Sequence, residues 1–153
     1  MKLRPIVVFT GEITPKHIEE VIGKNFSGDI YVCGDIVEYA PNNAYIKTNG
    51  GTLYVDGGIY LYGDLTVEGD VVVIDAIDSD GQVKICGSLT CYQPCISTSQ
   101  LLVSEDLVMN LELDHMIDDS HDGDITVGGD FVVNVKSESE VEVFGKKIIE
   151  YYS

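Results

Sequence analysis

The side chains best suited to chemistry lie between Asp114 and Asp122, where the sequence reads Asp-His-Met-Ile-Asp-Asp-Ser-His-Asp. Histidine and carboxylate groups together can ligate a divalent metal or act as general acid and base. The alternative interpretation is a polar loop, and we expect the part Asp118–Asp122 to bind no divalent metal. The candidate binding residues in it are His115, Asp118, Asp119, His121 and Asp122.

A second acidic segment, Ser137-Glu138-Ser139-Glu140, adds Glu138 and Glu140 to the candidates. If the regular repeat described below continues through both segments, Ser120 lies over Glu138 and Asp122 over Glu140. Like charges at that distance must be solvated, be neutralised by a cation, or have a raised pKa.

The cysteines have the spacing Cys86-x4-Cys91-x3-Cys95, which is not a zinc-binding pattern. We predict that Cys91 and Cys95 point inward as small hydrophobic residues, and that Cys33 and Cys86 point outward. No serine–histidine–acid set, phosphate loop or metal motif is evident in the sequence. We therefore predict no catalytic residue, metal site or cofactor, and favour a protein that is not an enzyme.

Tyrosines are the remaining candidates, and Tyr54 and Tyr60 complete the predicted binding residues. With Tyr31 and Tyr62 they could form an outward aromatic strip on which a sugar stacks. The alternative is that outward tyrosines stabilise neighbouring strands through cross-strand contacts.

The elements that position these residues follow from a repeat in Leu53–Ile74. Four units of the form apolar–x–apolar–x–Gly/Asp–x begin at Leu53, Ile59, Leu65 and Val71. Two apolar residues at i and i+2 share one face of a strand, and the Gly or Asp that follows suits a bend. Steps of one unit continue without insertion to Ile149, and only Asp119 and Ser137 are not apolar at the first position.

Three such units make one coil, so the period predicts stacked columns of apolar side chains. The predicted columns are Leu65–Val83–Leu101; Val71–Leu89–Leu107–Ile125–Val143; and Ile59–Ile77–Cys95–Leu113–Phe131–Ile149. The predicted fold is all-β, a single-stranded parallel β-helix (solenoid) with three sides. We favour a right-handed helix, because the residue after the inward aliphatic is a β-former such as Tyr54, Tyr60 or Thr66.

One domain, residues 1–153, is predicted, with 1–27 forming a strand and capping helix and 28–150 forming the coils. Lys2 to Phe9 reads as the first strand. Thr14 as N-cap, Pro15 and Gly23 then bound a short helix whose apolar face is Ile18, Val21 and Ile22. A turn is expected at 41–43, where counting from Ile36 to Leu53 shows a slip of one residue.

Aspartates follow many of the glycines, at Asp35, Asp64, Asp70, Asp124 and Asp130. A calcium site like that of glycine-aspartate nonapeptide helices is one interpretation, but the period here is six rather than nine. Hydrogen bonding of these carboxylates to the turn backbone is the simpler one.

The net charge of −17 disfavours binding to nucleic acid or to an anionic membrane, because phosphate groups require clustered Lys and Arg. No apolar run approaches the roughly 20 residues of a membrane span, and Ile6–Phe9 is too short for a signal sequence. We expect a cytoplasmic protein with reduced thiols.

The units Leu65-Thr-Val67-Glu-Gly69-Asp70 and Val83-Lys-Ile85-Cys-Gly87-Ser88 resemble those of the bactofilins, a bacterial cytoskeletal family. The resemblance spans about residues 28–149. It implies a compact right-handed triangular β-helix whose coils stack end to end into filaments. Bactofilin cores usually carry tails at both ends, whereas a helix is predicted here at the N-terminal end. Such a helix should block head-to-tail growth.

Three functions remain open. The first is a non-enzymatic structural or protein-interaction module, which binds a protein partner or associates with itself. The second is a carbohydrate-binding or carbohydrate-active β-helix protein that uses carboxylates and outward tyrosines. The third is an acidic decoy or inhibitor of a basic protein surface.

Overall fold

The computed structural model describes residues 5–92, 96–97, 100–110, 124–129, 131–134, 142–143 and 147–150. Within these ranges the chain forms one helix, α1 (Pro15–Ile22), and sixteen short strands. The strands are β1 (Ile6–Thr10), β2 (Asp29–Cys33), β3 (Ile36–Glu38), β4 (Ala44–Val55), β5 (Ile59–Leu61), β6 (Leu65–Val73), β7 (Ile77–Ser79), β8 (Gln82–Ile85), β9 (Leu89–Cys91), β10 (Ile96–Ser97), β11 (Gln100–Val103), β12 (Leu107–Asn110), β13 (Asp124–Val127), β14 (Phe131–Asn134), β15 (Glu142–Val143) and β16 (Lys147–Glu150).

The protein is mainly β, and its two sheets, of twelve and four strands, are parallel throughout the described pairings. Three ladders of paired strands make up these sheets. Ladder A contains β1, β2, the second half of β4, the second half of β6, β9, β12, β14 and β16. Ladder B contains β3, β5, β7 and β10. Ladder C contains the first halves of β4 and β6, then β8, β11, β13 and β15.

The pairing register confirms the step of three units in the middle of the chain. Leu65 pairs with Val83, and Val83 with Leu101. The second and third columns begin as predicted, in the pairs Val71–Leu89, Leu89–Leu107 and Ile59–Ile77.

Strand pairs near the N-terminus are further apart along the chain, as in Ile13–Ile36 and Ile36–Ile59, where the step exceeds three units by five residues. Residues 39–43 lie between strands, as predicted for the turn at 41–43. A β-bulge between Lys47 and Thr52, which the repeat did not reveal, accommodates further residues. Five extra residues fall one short of a full unit, which accounts for the slip of one residue seen in the sequence.

The predicted columns are wrong beyond Leu107. Ile125 pairs with Leu101 rather than Leu107, and Phe131 pairs with Leu107, so this step is four units instead of three. The insertion of one whole unit leaves the phase of the repeat unchanged, and the periodicity therefore could not reveal it.

The following step is shorter than three units by two residues, because Val143 pairs with Val127 and Ile149 with Val133. Val143 and Ile149 were predicted to follow Ile125 and Phe131 in their columns, which is wrong. The loss of two residues falls in the stretch that carries Ser137, where the apolar pattern also fails.

Ladder B departs from the prediction at one further place. Ile77 pairs with Ile96, whereas Cys95 was the predicted partner. The extra residue does not propagate, because Val83 and Leu101 still pair three units apart. Cys95 and Leu113 lie outside the described residues.

The core lies along the inward faces of the three ladders. Inward positions such as Ile30, Leu53 and Val83 are fully buried, and each is followed by a more exposed outward residue. Alternate residues of a strand point to opposite faces, so the first and third positions of each unit fill the interior. The core consists almost entirely of Ile, Leu and Val, together with Cys91.

Helix α1 begins and ends as predicted. The Thr14 hydroxyl accepts a hydrogen bond from the His17 backbone N–H at 3.2 Å, and Gly23 has a φ of 70°. Ile18 is fully buried, whereas Val21 is exposed, so the predicted apolar face is narrower than expected. The helix packs against β4 and thus covers the first strand of ladder C.

Candidate functional site

The predicted acidic site cannot be assembled from the described residues. His115, Asp118, Asp119, His121, Asp122, Glu138 and Glu140 all lie outside them. The predicted stacking of Ser120 over Glu138 and of Asp122 over Glu140, which assumed a step of three units, also lies outside the described residues. The described strands on either side step by one unit more and then by two residues less.

Tyr54 and Tyr60 lie on different ladders. Tyr54 belongs to ladder A and stacks on Tyr31, with ring centroids 5.4 Å apart and an interplanar angle of 24°. Tyr60 belongs to ladder B. The stacking covers one face of each ring and so reduces the ring surface that a ligand can reach.

A second tyrosine pair directly follows two strands of ladder B, β3 and β5. Tyr39 and Tyr62 meet edge to face with ring centroids 5.9 Å apart, and both are exposed. Tyr39 lies in the turn outside the regular units, so the six-residue pattern could not place it beside Tyr62.

The corner aspartates are hydrogen-bonded to backbone N–H groups, as the simpler interpretation predicted, but these groups lie in the next turn of the chain and not in the aspartate's own turn. The Asp64 carboxylate accepts from the backbone N–H of Gln82 at 2.7 Å, and Asp70 accepts from that of Ser88 at 2.8 Å. Asp35 accepts from Gly58 in the same way at 2.8 Å. We call this contact the corner clasp. The side chain of Asp124 and all of Asp130 lie outside what can be described.

In each corner clasp, the residue just before the donating N–H is a glycine, which lies close to the carboxylate. A Cβ atom on Gly81 would lie only 2.4 Å from Asp64 Oδ1, and one on Gly87 would lie 2.4 Å from Asp70 Oδ1. These glycines, which are not those of the repeated Gly-Asp pairs, thus provide space for a carboxylate of the preceding turn. The Gly and Asp positions are accounted for by stacking and need no bound cation.

The β-bulge borders a groove of about 430 Å³ between ladders C and A, lined in part by Lys47, Glu68, Asp70, Cys86 and Glu105. Lys47 Nζ lies 3.8 Å from Glu68 Oε2. A hydrogen bond with Glu68 raises the pKa of Tyr45 to about 12. In the described part of the chain, no group of three or more His, Cys, Asp or Glu residues is arranged to hold a metal ion.

The described cysteines are free thiols with different environments. Cys33 is exposed and Cys86 half-buried, and both point outward as predicted. Cys91 is fully buried, and burial raises the pKa of its thiol to about 12. A thiol held protonated in this way is a poor nucleophile, so Cys91 belongs to the core.

The N-terminal edge of ladder A is the feature best suited to binding. Among the described strands, β1 pairs only with β2. The Pro5 carbonyl and the Gly11 N–H point toward β2, at 2.9 Å from Asp29 N and 3.0 Å from Cys33 O. Backbone groups alternate between the two sides of a strand in a parallel ladder, so those of Ile6, Val8 and Thr10 point away from β2.

Side chains along this edge are also apolar. Ile6 is 63% exposed and Val8 58% exposed, whereas Phe9 is buried in the end of the core. Open edges of soluble proteins are usually protected by charge, proline or a covering element. Helix α1 packs against ladder C and contacts β1 through His17, whose ring meets that of Phe9, but no described strand pairs with the outer edge of β1.

Comparison of the chain with family models, with curated protein sequences and with solved structures finds no match. Within the described ranges, no helix has the length and apolar character needed to cross a membrane.

Proposed function

We propose that the three ladders are the walls of one right-handed β-solenoid, and that this solenoid is a non-enzymatic scaffold for protein interaction. From β2 to β12 the three ladders recur in the order A, B, C along the chain, and the step of three units occurs in all of them. A connection between parallel strands of one sheet is right-handed in about 98% of cases, which supports the handedness.

The open edge of β1 is the observation that carries the interaction function. It offers the outward N–H and C=O groups of Ile6, Val8 and Thr10 to an extended segment, which would add as one more parallel strand. That segment belongs to a protein partner or to a second copy of the chain.

The variant Val8→Pro tests this function. The Val8 N–H points away from β2, so proline removes a donor from the open edge and leaves the β1–β2 hydrogen bonds in place. We expect proteins captured from the source cell by the wild type, or end-to-end multimers seen by sedimentation, to be lost in Val8→Pro.

The matched control is Val8→Thr, which keeps the N–H and the β-branched shape. It should retain whatever the wild type binds. If Val8→Pro captures the same proteins and sediments as the wild type does, the proposed edge function is wrong.

The two other functions have weaker support. Stacking of Tyr31 on Tyr54 covers one face of each ring, which reduces the ring surface available to a sugar. An acidic decoy needs carboxylates that are available to a basic partner, whereas Asp35, Asp64 and Asp70 each hold a backbone N–H of their own chain.

A further inference from the structure

The outward face of ladder A is unusually apolar for a protein with a net charge of −17. Its central column follows the pairing register, and its described members include no charged residue. The column consists of Val8, Tyr31, Tyr54, Val72, Thr90 and Val108. Val8 and Tyr31 are exposed, and the other four are half-buried.

The other two ladders differ in this respect. The matching central column of ladder C contains Lys84, and that of ladder B contains Asp78. An uncharged column running along a wall is the kind of surface that a monomer rarely leaves exposed to water.

Columns at the two margins of ladder A carry the only described charges of this face. On the side where each strand begins, aspartate alternates with a hydroxyl residue: Asp29, Thr52, Asp70, Ser88 and Asp106. On the side where each strand ends, the residues are Cys33, Asp56, Ile74 and Tyr92, and Asp56 is the one acid among them.

We propose that a second copy of this chain docks face to face on ladder A, related by a two-fold axis that runs along the ladder. This arrangement brings each starting margin against the other copy's ending margin at the same level. Asp29 then faces Cys33, and Asp70 faces Ile74. Asp56 faces Thr52, so no described carboxylate meets another.

The alternative two-fold axis, along the strands, brings the aspartate margin of one copy against the aspartate margin of the other. With Asp70 at the centre, Asp29 of one copy would face Asp106 of the other. Such like-charge pairs disfavour that arrangement, whereas the axis along the ladder avoids them at every described level.

The size of the face is sufficient for a dimer. Eight strands at about 4.8 Å and a width of three outward side chains give roughly 600 Å² per copy. Two copies would bury about 1,200 Å², at the lower end of the range for specific interfaces. The dimer does not depend on binding at the edge of β1, although β1 belongs to the same ladder.

Sedimentation velocity over a concentration series tests the proposal. The wild type should form a dimer at high micromolar concentration, and Val72→Glu should weaken it at least about tenfold, because two carboxylates would meet in an apolar interface. The matched control is Thr66→Glu, since Thr66 lies on the same strand β6, points outward and is also half-buried, but belongs to ladder C. It should dimerise like the wild type.

A crosslinking experiment tests the axis. Each residue of the central column lies close to the same residue of the other copy, because the axis runs along that column. Thr90→Cys, made with Cys33→Ser and Cys86→Ser, should therefore be crosslinked between two chains by a short bis-maleimide. Thr66→Cys in the same background should not.

A wild type that remains monomeric, or a dimer unaffected by Val72→Glu, would overturn the proposal. Failure of Thr90→Cys to crosslink within a dimer would overturn the axis. Val72→Glu separates the two proposals, because it leaves the β1 edge unchanged and should retain end-on binding while the dimer is lost.

Discussion

At the scale of single residues, the corner clasp explains the aspartates of the repeated Gly-Asp pairs, such as Asp35, Asp64 and Asp70. Each clasp joins an acid to a backbone N–H in the next turn of the chain, as Asp64 does with Gln82. The Gly before that N–H, which is Gly81 in this case, leaves space for the carboxylate. The local interpretation of Asp as a turn residue anticipated the hydrogen bond, but only the register identifies its partner.

The variant Asp64→Ala should lower the free energy of unfolding by about 1 kcal/mol, because the Gln82 N–H loses its acceptor. Asp64→Asn keeps an acceptor oxygen at the same place and should cost less than half as much. Thermal or urea unfolding of both variants measures the difference. Asp78→Ala, at an exposed outward position of ladder B, is the control and should have little effect. Equal losses for Ala and Asn would show that the clasp contributes nothing specific.

At the scale of strands and ladders, the six-residue pattern could predict which residues point inward but not how many make one turn of the chain. Val83 and Leu101 were placed correctly because no residue is inserted between them. Ile125 was misplaced because the insertion of a whole unit preserves the phase. The six-residue period predicts whether a side chain points inward or outward, but it does not change when a whole unit is inserted.

The β-bulge was unpredictable for a related reason. Thr48 is a β-forming residue, and its burial depends on hydrogen bonds from its hydroxyl to the Gly51 carbonyl at 2.8 Å and the Glu68 carbonyl at 3.1 Å. Glu68 lies on another strand, so the second of these contacts exists only after the strands pair. The tyrosine pair of Tyr39 and Tyr62 was missed for the same reason.

The variant Val83→Asp should abolish folding, because Val83 is fully buried between Leu65 and Leu101 and an unpaired carboxylate there has no partner or solvent. Lys84→Asp makes the same side chain at the next position, which is exposed, and should fold. Circular dichroism and a thermal melt distinguish them. A cooperative melt of Val83→Asp at the wild-type temperature would contradict the assignment of the core.

At the scale of the whole molecule, the charge is unevenly distributed. The chain has 26 acidic residues against 9 basic ones, yet the central column of ladder A has none of either among its described members. A large net charge opposes association between copies through long-range repulsion. The uncharged face is the place where two copies can approach with the least opposition.

Added salt should therefore strengthen the dimer. Raising the ionic strength from about 0.01 M to about 0.1 M shortens the screening length from roughly 30 Å to roughly 10 Å, which reduces repulsion between the acidic surfaces while the apolar contact is retained. Sedimentation at both ionic strengths should give a lower dissociation constant at the higher one. A higher dissociation constant would indicate that attraction between opposite charges holds the copies together.

The constant step of ladders A and C between Leu53 and Leu107 has a consequence for how such a chain can change during evolution. Each turn of the chain there meets a neighbour of the same length, with clasp donor and acceptor at matching places. A duplication or deletion of one complete turn would restore the same contacts above and below the altered point. The length of this protein can thus change by whole turns while its cross-section stays constant.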